Sequence, residues 1–344
     1  VEIVRHPDEL SPHARGCVAA LGNFDGFHRG HQAVVGEAGR LARAMGASLA
    51  VITTEPHPRR FFRPADPPFR LTPFRERADL LARFGVDVLG ALSFDEALAR
   101  TPPQDFVMEV LVRGFGALHV VVGFNYRFGK GRAGGVDTLA RMGEMEGFGV
   151  SAVPPLYIET GAHAGEPYSS SRIREAVGQG RVRAAAELLG HWWALSGRVL
   201  EGDRRGRSIG FPTINLALGE AVRPLFGVYA VRAEIAGEPG PLCGVANIGQ
   251  RPTFDQNEAL LEVHLFDFQG DLYGRHARIE LVDFLRGEET FAGPEALKAQ
   301  IARDCDDARA RLAEPANARE RRAPVSLDAY LAQTRGIADT LCPR

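Results

Sequence analysis

The sequence predicts two domains of different class: an α/β domain on a parallel sheet, then an antiparallel β-barrel closed by a C-terminal helix. Three observations predict it. Over residues 1–187, short apolar runs alternate with amphipathic runs, the pattern of strands joined by helical crossovers. From residue 188 glycines and short alternating runs take over, the pattern of a small antiparallel barrel. A long amphipathic run at 294–312 then returns to helical spacing. The length of 344 residues agrees with two domains.

In the first domain the apolar runs at 17–21, 49–53, 86–92, 119–122 and 150–154 are strands. Continuous runs of this kind are buried on both faces, as in a parallel sheet. Helices are predicted near 31–45, 73–84, 103–113 and 136–147. The first carries Val34, Val35, Ala38, Leu41, Ala42 and Met45 at helical spacing. Thr72 and Pro73 give the second a cap and a first-turn proline. The second domain, 188–312, has strands at 195–200, 228–235, 242–248, 260–268 and 277–284. Residues 313–344 hold a charged run at 318–323 and a short helix at 327–333. They are expected to be a loosely ordered extension and are assigned no function.

Composition removes several classes. A net charge of −2 gives no global field for nucleic acid. No window has the long uncharged apolar run of a membrane span, and no basic-then-apolar leader predicts secretion. Cys17, Cys243, Cys305 and Cys342 are scattered without a C-x-x-C, which opposes a zinc site or disulfide framework and fits a reducing cytoplasm. The only lysines, Lys130 and Lys298, sit in no G-x-x-x-x-G-K-[ST] pattern, which excludes a P-loop. A monomer or weak oligomer acting on small molecules is expected, with no nucleic acid or membrane partner.

Residues 22–31 read G-N-F-D-G-F-H-R-G-H, where a strand hands over to a helix. In an open α/β sheet nucleotides bind there. Gly22 and Gly26 let the backbone approach a phosphate, the helix start offers free N–H groups, and His28 and His31 can both reach an anion. Three further stretches carry polar and basic groups. Pro56 and Pro58 stiffen the loop T-E-P-H-P-R-R-F-F at 54–62, whose arginines and aromatics suit a planar, anionic ligand. The loop G-F-N-Y-R-F-G-K-G-R at 123–132 holds Asn125, Arg127 and two more cations directly after a strand. Ser169, Ser170 and Ser171 before Arg172 and Arg174 make a capping cluster with anion-binding groups.

The arrangement H-x-G-H after a strand resembles the nucleotidyltransferase superfamily related to class I aminoacyl-tRNA synthetases. The resemblance implies a Rossmann-like fold in which His28 and His31 hold ATP phosphates. The serine cluster looks like the counterpart of that superfamily's mobile K-M-S-K-S loop. Together the four stretches resemble the FMN adenylyltransferase module of bacterial bifunctional riboflavin kinase/FAD synthetases. By that resemblance Gly22, Phe24, Asp25, Gly26, Pro56, Pro58, Asn125, Arg127, Ser169, Ser170, Ser171, Arg172 and Arg174 bind substrate or ATP. Many relatives carry aspartate at Asn125 and threonine at Ser171. Asparagine can still bond a ribose or base, and serine keeps the hydroxyl.

The second domain contains G-D-R-R-G-R-S-I-G-F-P-T-I-N at 202–215. Its glycine–arginine loop can wrap a polyphosphate. In an extended strand Thr213 and Asn215 share a face, where their oxygens can hold Mg²⁺ together with ATP. Glu262 and His264 share a face of the apolar run 260–266. This reading gives Glu262 an inward slot and the role of base toward a hydroxyl. G-F-P-T-I-N, with G-V-A-N-I-G at 244–249, R-P-T-F at 251–254, E-V-H at 262–264 and F-L-R at 284–286, resembles riboflavin kinase. The resemblance implies that Thr213 and Asn215 bind ATP-bound Mg²⁺ and that Glu262 deprotonates the ribityl 5′-hydroxyl. It implies that Gly202, Arg207, Gly210, Pro212, Asn247 and Arg286 contact ATP or flavin. Riboflavin, FMN and ATP are then the partners, and FMN and FAD are substrate and product rather than redox cofactors. A protein with one active half and a flavin-binding protein without turnover are the alternatives. Thr213, Asn215 and Glu262 oppose the second, since binding alone needs no base.

Overall fold

A computed structural model describes residues 1–160, 163–201, 210–250 and 259–334. The chain forms two compact units. One comprises Val1–Asp66, Arg77–Tyr168 and the tail from Pro324; the other comprises Pro67–Glu76 and Ser169–Ala323. The change of apolar period after residue 187 thus lies inside the second unit, which also takes in residues 67–76 and 169–187.

The first unit is built on a parallel sheet of β1 (Glu2–Val4), β2 (Val18–Leu21), β3 (Leu49–Glu55), β4 (Val88–Ser93), β5 (His119–Gly123) and β6 (Gly149–Val153). Their order is β1-β4-β3-β2-β5-β6. Every residue of β2 is buried, as its unbroken apolar run requires. The order reverses at β2, which pairs with both β3 and β5. A crevice at the carboxyl ends of those strands follows from that reversal. The crossovers are α1 (Arg29–Met45), α2 (Pro58–Phe62), α3 (Phe74–Phe84), α4 (Glu96–Arg100), α5 (Pro103–Phe106) and α6 (Val136–Glu146). The run expected as a helix at 103–113 continues past α5 as a π-helical stretch, Val107–Phe115. Three elements escaped the sequence pattern because they are shorter than its period can register: the edge strand β1, the one-turn α2 inside the P-H-P loop and the five-residue α4.

The second unit opens with α7 (Ser170–Gly178) and α8 (Val182–Leu189). Six antiparallel strands follow: β7 (Ala194–Arg198), β8 (Thr213–Ala217), β9 (Gly227–Ile235), β10 (Leu242–Gln250), β11 (Ala259–Leu265) and β12 (His276–Arg286). Their order is β7-β12-β9-β10-β11-β8. A bridge between Leu200 and Asn215 brings the two edges together and nearly closes the barrel. The expected closing helix is α9 (Pro294–Ala313); its Ala308 packs on Val228, Ala230, Val245 and Phe266.

Closure decides which face of each strand is core, and it corrects one expectation. Along β11 it is Ala259, Leu261, Val263 and Leu265 that are buried, whereas Glu262 is exposed. Glu262 therefore does not occupy an inward slot. Both alternating sets of this strand contain leucine, so period two alone could not choose between them.

A buried ion network fixes segment 67–76 in this unit. Arg278 Nε donates to Glu76 at 2.8 Å, and its Nη1 donates to Glu280 at 2.6 Å. Trp193 Nε1 donates to the Leu71 carbonyl at 2.8 Å. Glu76 and Arg278 are both almost inaccessible to solvent. Breaking a buried pair from one side costs about 3–5 kcal/mol, because it strands a desolvated charge. Arg278 retains Glu280, so Glu76→Ala is expected to destabilise this unit by about 3 kcal/mol, read as a lower urea midpoint. A midpoint unchanged within error would show that the pair holds nothing. A fragment starting at Gly190 lacks Glu76, α7 and α8, and is expected not to fold.

The extension beyond residue 312 is packed rather than loose over its described part. Asn317 is fully buried, and its carbonyl accepts from Arg232. Within the charged run at 318–323, Arg319 and Arg322 are paired, while Glu320 and Arg321 are exposed. Arg319 bonds Glu234, while Arg322 lies over the Trp192 ring at 5.0 Å and bonds Glu187 at 2.9 Å. Further on, α10 (Leu327–Thr334) lies on α1. A Cβ at Gly36 would come within 2.2 Å of the Tyr330 ring, and one at Gly39 within 2.6 Å of Leu327. Two glycines one helical turn apart thus make the groove that receives two apolar side chains.

Candidate active sites

At the carboxyl ends of β2 to β5 the first unit encloses a cavity of about 770 Å³. That is within the usual range for small-molecule sites. Gly22, Pro58, Asn125 and Arg127, four of the residues expected from sequence, line it. Its walls carry the cations Arg59, Arg63, Arg127 and Arg132, interleaved along the chain with the aromatics Phe62, Phe94 and Phe128. Phe61, Phe62 and Phe94 form an edge-on cluster with centroids 5.2–5.7 Å apart. Phe62 is 64% exposed, a large aromatic face left open at the rim. Such a lining can stack a flat ring and bind phosphates. Phe94 and Leu98, after β4, were missed from sequence. In a parallel sheet every strand's carboxyl end reaches the same rim, and that rule could have found them.

Between this cavity and α1 runs the loop of Phe24, Asp25, Gly26 and Phe27, all buried. Phe24 and Phe27 adopt left-handed backbone conformations, with φ of 49° and 40°. Residues held there cost about 1–3 kcal/mol each and persist only where their surroundings over-determine them. Here burial of the two rings does so; Phe27 packs edge-on against Phe84 at 5.1 Å. The loop delivers His28 as the N-cap of α1, its Nδ1 accepting from the His31 N–H at 3.3 Å. That bond puts the neutral ring's proton on Nε2, a donor suited to a phosphate oxygen. The two imidazoles are stacked, 3.6 Å between centroids. Gly30 is explained by the same geometry: a Cβ there would sit 3.2 Å from the His28 ring.

The remaining residues expected for this site are dispersed. Pro56 follows a cis bond from Glu55 and lies outside the cavity lining. Ser169 caps α7, accepting from the Arg172 N–H at 3.4 Å, and Ser170 and Ser171 open that helix in the second unit. Arg174 donates to the Phe69 carbonyl at 2.7 Å and lies over the Phe69 ring.

In the barrel, register brings the expected residues together. Asn215 on β8 stands opposite Glu262 on β11, which in turn stands opposite Asn247 on β10; Thr213 stands opposite His264. Directly opposed residues share a face, so all five side chains project from one side. His264 bonds the Pro212 carbonyl at 2.9 Å and so anchors the start of β8; sequence gave it no role. Pro212, Thr213 and Asn215 line a second cavity, of about 200 Å³. Gly210 precedes it, and Gly202 and Arg207 lie outside the described residues. Arg286 is taken by a bidentate pair with the buried Asp304 of α9, at 2.8 and 2.7 Å.

Asn215 is 4% exposed, and its Oδ1 has no hydrogen-bond partner among the described residues. A buried acceptor left so costs about 1–3 kcal/mol, which points to a ligand. Among the described residues no three His, Cys, Asp or Glu side chains could cage a metal by themselves. One or two protein oxygens completed by phosphate and water are the usual Mg²⁺ arrangement, and this donor set fits it. No cysteine competes as a nucleophile at Cys17 or Cys305. Burial pushes their thiols up to about 12 and about 11.

Residues 10–165 match the family model for FAD synthetase, and residues 189–312 that for riboflavin kinase. The chain is 42% identical over 289 residues to the bifunctional riboflavin kinase/FMN adenylyltransferase of Escherichia coli strain K12, covering 84% of this chain and 90% of that one. It is 41% identical over 316 residues to the protein of the same name from Pseudomonas fluorescens, covering 92% and 99%. A solved structure described as a macrolide-efflux protein from Streptococcus pneumoniae matches with a TM-score of 0.77 at 31% identity, covering 89% and 98%. No helix among the described residues is long and apolar enough to cross a membrane. With two family models in tandem and relatives alike along nearly their whole length, the chain belongs to the bifunctional riboflavin kinase/FMN adenylyltransferase family.

Proposed function

We propose that this chain makes FAD from riboflavin in two ATP-dependent steps. The barrel transfers the γ-phosphate of ATP to riboflavin, giving FMN and ADP. The parallel-sheet unit transfers AMP from a second ATP to FMN, giving FAD and pyrophosphate. The observation that carries the reading is the β8–β11 register, with Glu262 opposite Asn215 and His264 opposite Thr213. It gathers a carboxylate and two oxygen donors on one face, the set that phosphoryl transfer to a hydroxyl uses.

In this reading Glu262 accepts the 5′-hydroxyl proton of riboflavin as that oxygen attacks. Thr213 and Asn215 hold Mg²⁺ beside the ATP phosphates, where the ion neutralises charge. In the other unit His28, His31 and the N-terminus of α1 bind the phosphates of ATP, and the cavity's arginines steady the pyrophosphate that leaves. Asn125 and the cavity's aromatics orient the nucleotide and the flavin. The cysteines fit a reducing cytoplasm, the site expected for this chemistry. The test is to incubate the protein with riboflavin and Mg·ATP and to separate the flavins by chromatography. FMN and then FAD are expected. No FMN would refute the kinase half, and FMN without FAD the adenylyltransferase half.

Asn215→Ala separates the two reactions. Losing a metal-binding oxygen is expected to cost about tenfold or more in use of Mg·ATP by the kinase. Conversion of supplied FMN to FAD should continue at its normal rate. Stability should hold, since the deleted Oδ1 bonds no other described residue. Equal loss of both activities would mean that Asn215 does something other than hold the kinase metal.

A further inference from the structure

Arg77 has no part in either reaction as described, yet its side chain is wholly buried. A buried guanidinium persists only when it is paired. Nη1 donates to the Asn23 carbonyl at 2.8 Å, and Nη2 donates to Glu55 Oε2 at 2.6 Å. Asn23 begins the loop that passes through the left-handed Phe24 and Phe27 to His28. Glu55 ends β3, and its own carbonyl accepts from the Phe94 N–H at 3.0 Å. Asn23, Thr54, His57 and Phe94 line the 770 Å³ cavity. One side chain beside the cavity therefore ties together the ends of β2 and β3 and, through Glu55, the end of β4. The planar fork can span two partners in fixed geometry, which a lysine cannot.

We propose that Arg77, with Glu55, is a positioning residue for FMN adenylylation: it fixes the start of the histidine loop against the ends of β3 and β4 beside the cavity. This rests on the adenylyltransferase reading of the first unit. A misplacement of about 1 Å can cost about 10²-fold in rate, so loosening this tie should be felt in turnover. A purely structural role makes a different forecast, because apolar replacement of a buried ion pair is often neutral or stabilising.

The test uses the full chain with Arg77→Met and Glu55→Gln together, which removes both charges of the pair at once. The expected result is a kcat for FMN adenylylation lower by about tenfold to a hundredfold. Riboflavin phosphorylation and the thermal unfolding temperature should stay nearly unchanged. Amides 22–31 should exchange hydrogen faster than in the unsubstituted protein, a readout that needs no turnover. Unchanged exchange there, or adenylylation within about threefold of normal, would overturn the proposal. Should the double variant not fold, Arg77→Lys decides on the same two readouts and thresholds. An unsubstituted protein that makes FMN but no FAD would instead sink the adenylyltransferase reading, and hydrogen exchange would still decide the role of Arg77.

Discussion

His28→Ala combined with His31→Ala stops FAD formation while FMN accumulates from riboflavin and ATP. The two rings are stacked at the start of α1, beside the N–H groups that a helix N-terminus offers to an anion. Removing one preorganised donor of this kind typically costs about 10²–10³-fold in turnover, so the pair should cost at least that. The kinase residues lie in the other compact unit, and riboflavin phosphorylation should proceed at its normal rate. The single variants add a control. His28 caps α1 through its side chain, so His28→Ala should also lower stability by about 1 kcal/mol. His31 contributes only its backbone N–H to that cap, so His31→Ala should lower FAD synthesis with little change in melting temperature. Chromatography of a time course, with thermal unfolding on the same samples, reads all of this. FAD production by the double variant close to that of the unsubstituted protein would remove the histidines from the mechanism.

The parallel sheet was legible in the sequence because runs such as 17–21 are apolar at every position, and such runs between helical crossovers read as buried strand. The glycine and histidine string was legible because its residue types need their backbone setting: Gly30 is there to make room for the His28 ring. What escaped was whatever depends on closure and long-range pairing. Whether Leu260 or Leu261 faces the core is decided by how β11 meets β8 and β10, not by its own alternation. The tail reads as loose because a chain end is ordered only where something ties it down. Arg319 and Arg322 have partners 85 and 135 residues away along the chain, beyond any local signal. The same holds for Arg77, a charged residue on an amphipathic helix whose partners lie 54 and 22 residues upstream. Arg286 was taken as a flavin contact because of its motif, and its pairing with Asp304 could be found only once α9 was in place.

The exposure of Glu262 sharpens the largest single-residue prediction for the kinase. Buried, it would have been part of the core, and its replacement could have unfolded the barrel. On the open face, beside Asn215 and Asn247, Glu262 is not required by the core, which Leu261 and Val263 fill from the other side. Glu262→Gln keeps size and most hydrogen-bonding capacity while removing basicity. A positioned general base contributes about 10²–10⁴-fold, so riboflavin phosphorylation should fall by that factor. Surface substitutions of this kind shift stability by about 0.5 kcal/mol or less, so the melting temperature should not move. Affinity for riboflavin should also persist, because the amide still bonds the hydroxyl. Conversion of supplied FMN to FAD should be untouched. The pH profile gives a separate check: a carboxylate base makes the rate fall on the acid side as it is protonated, and that limb should vanish in the glutamine variant. Single-turnover FMN formation across pH, with unfolding on the same protein, reads each of these. A rate near normal with the acid limb intact would mean that the proton leaves by another route and that Glu262 only orients Asn215.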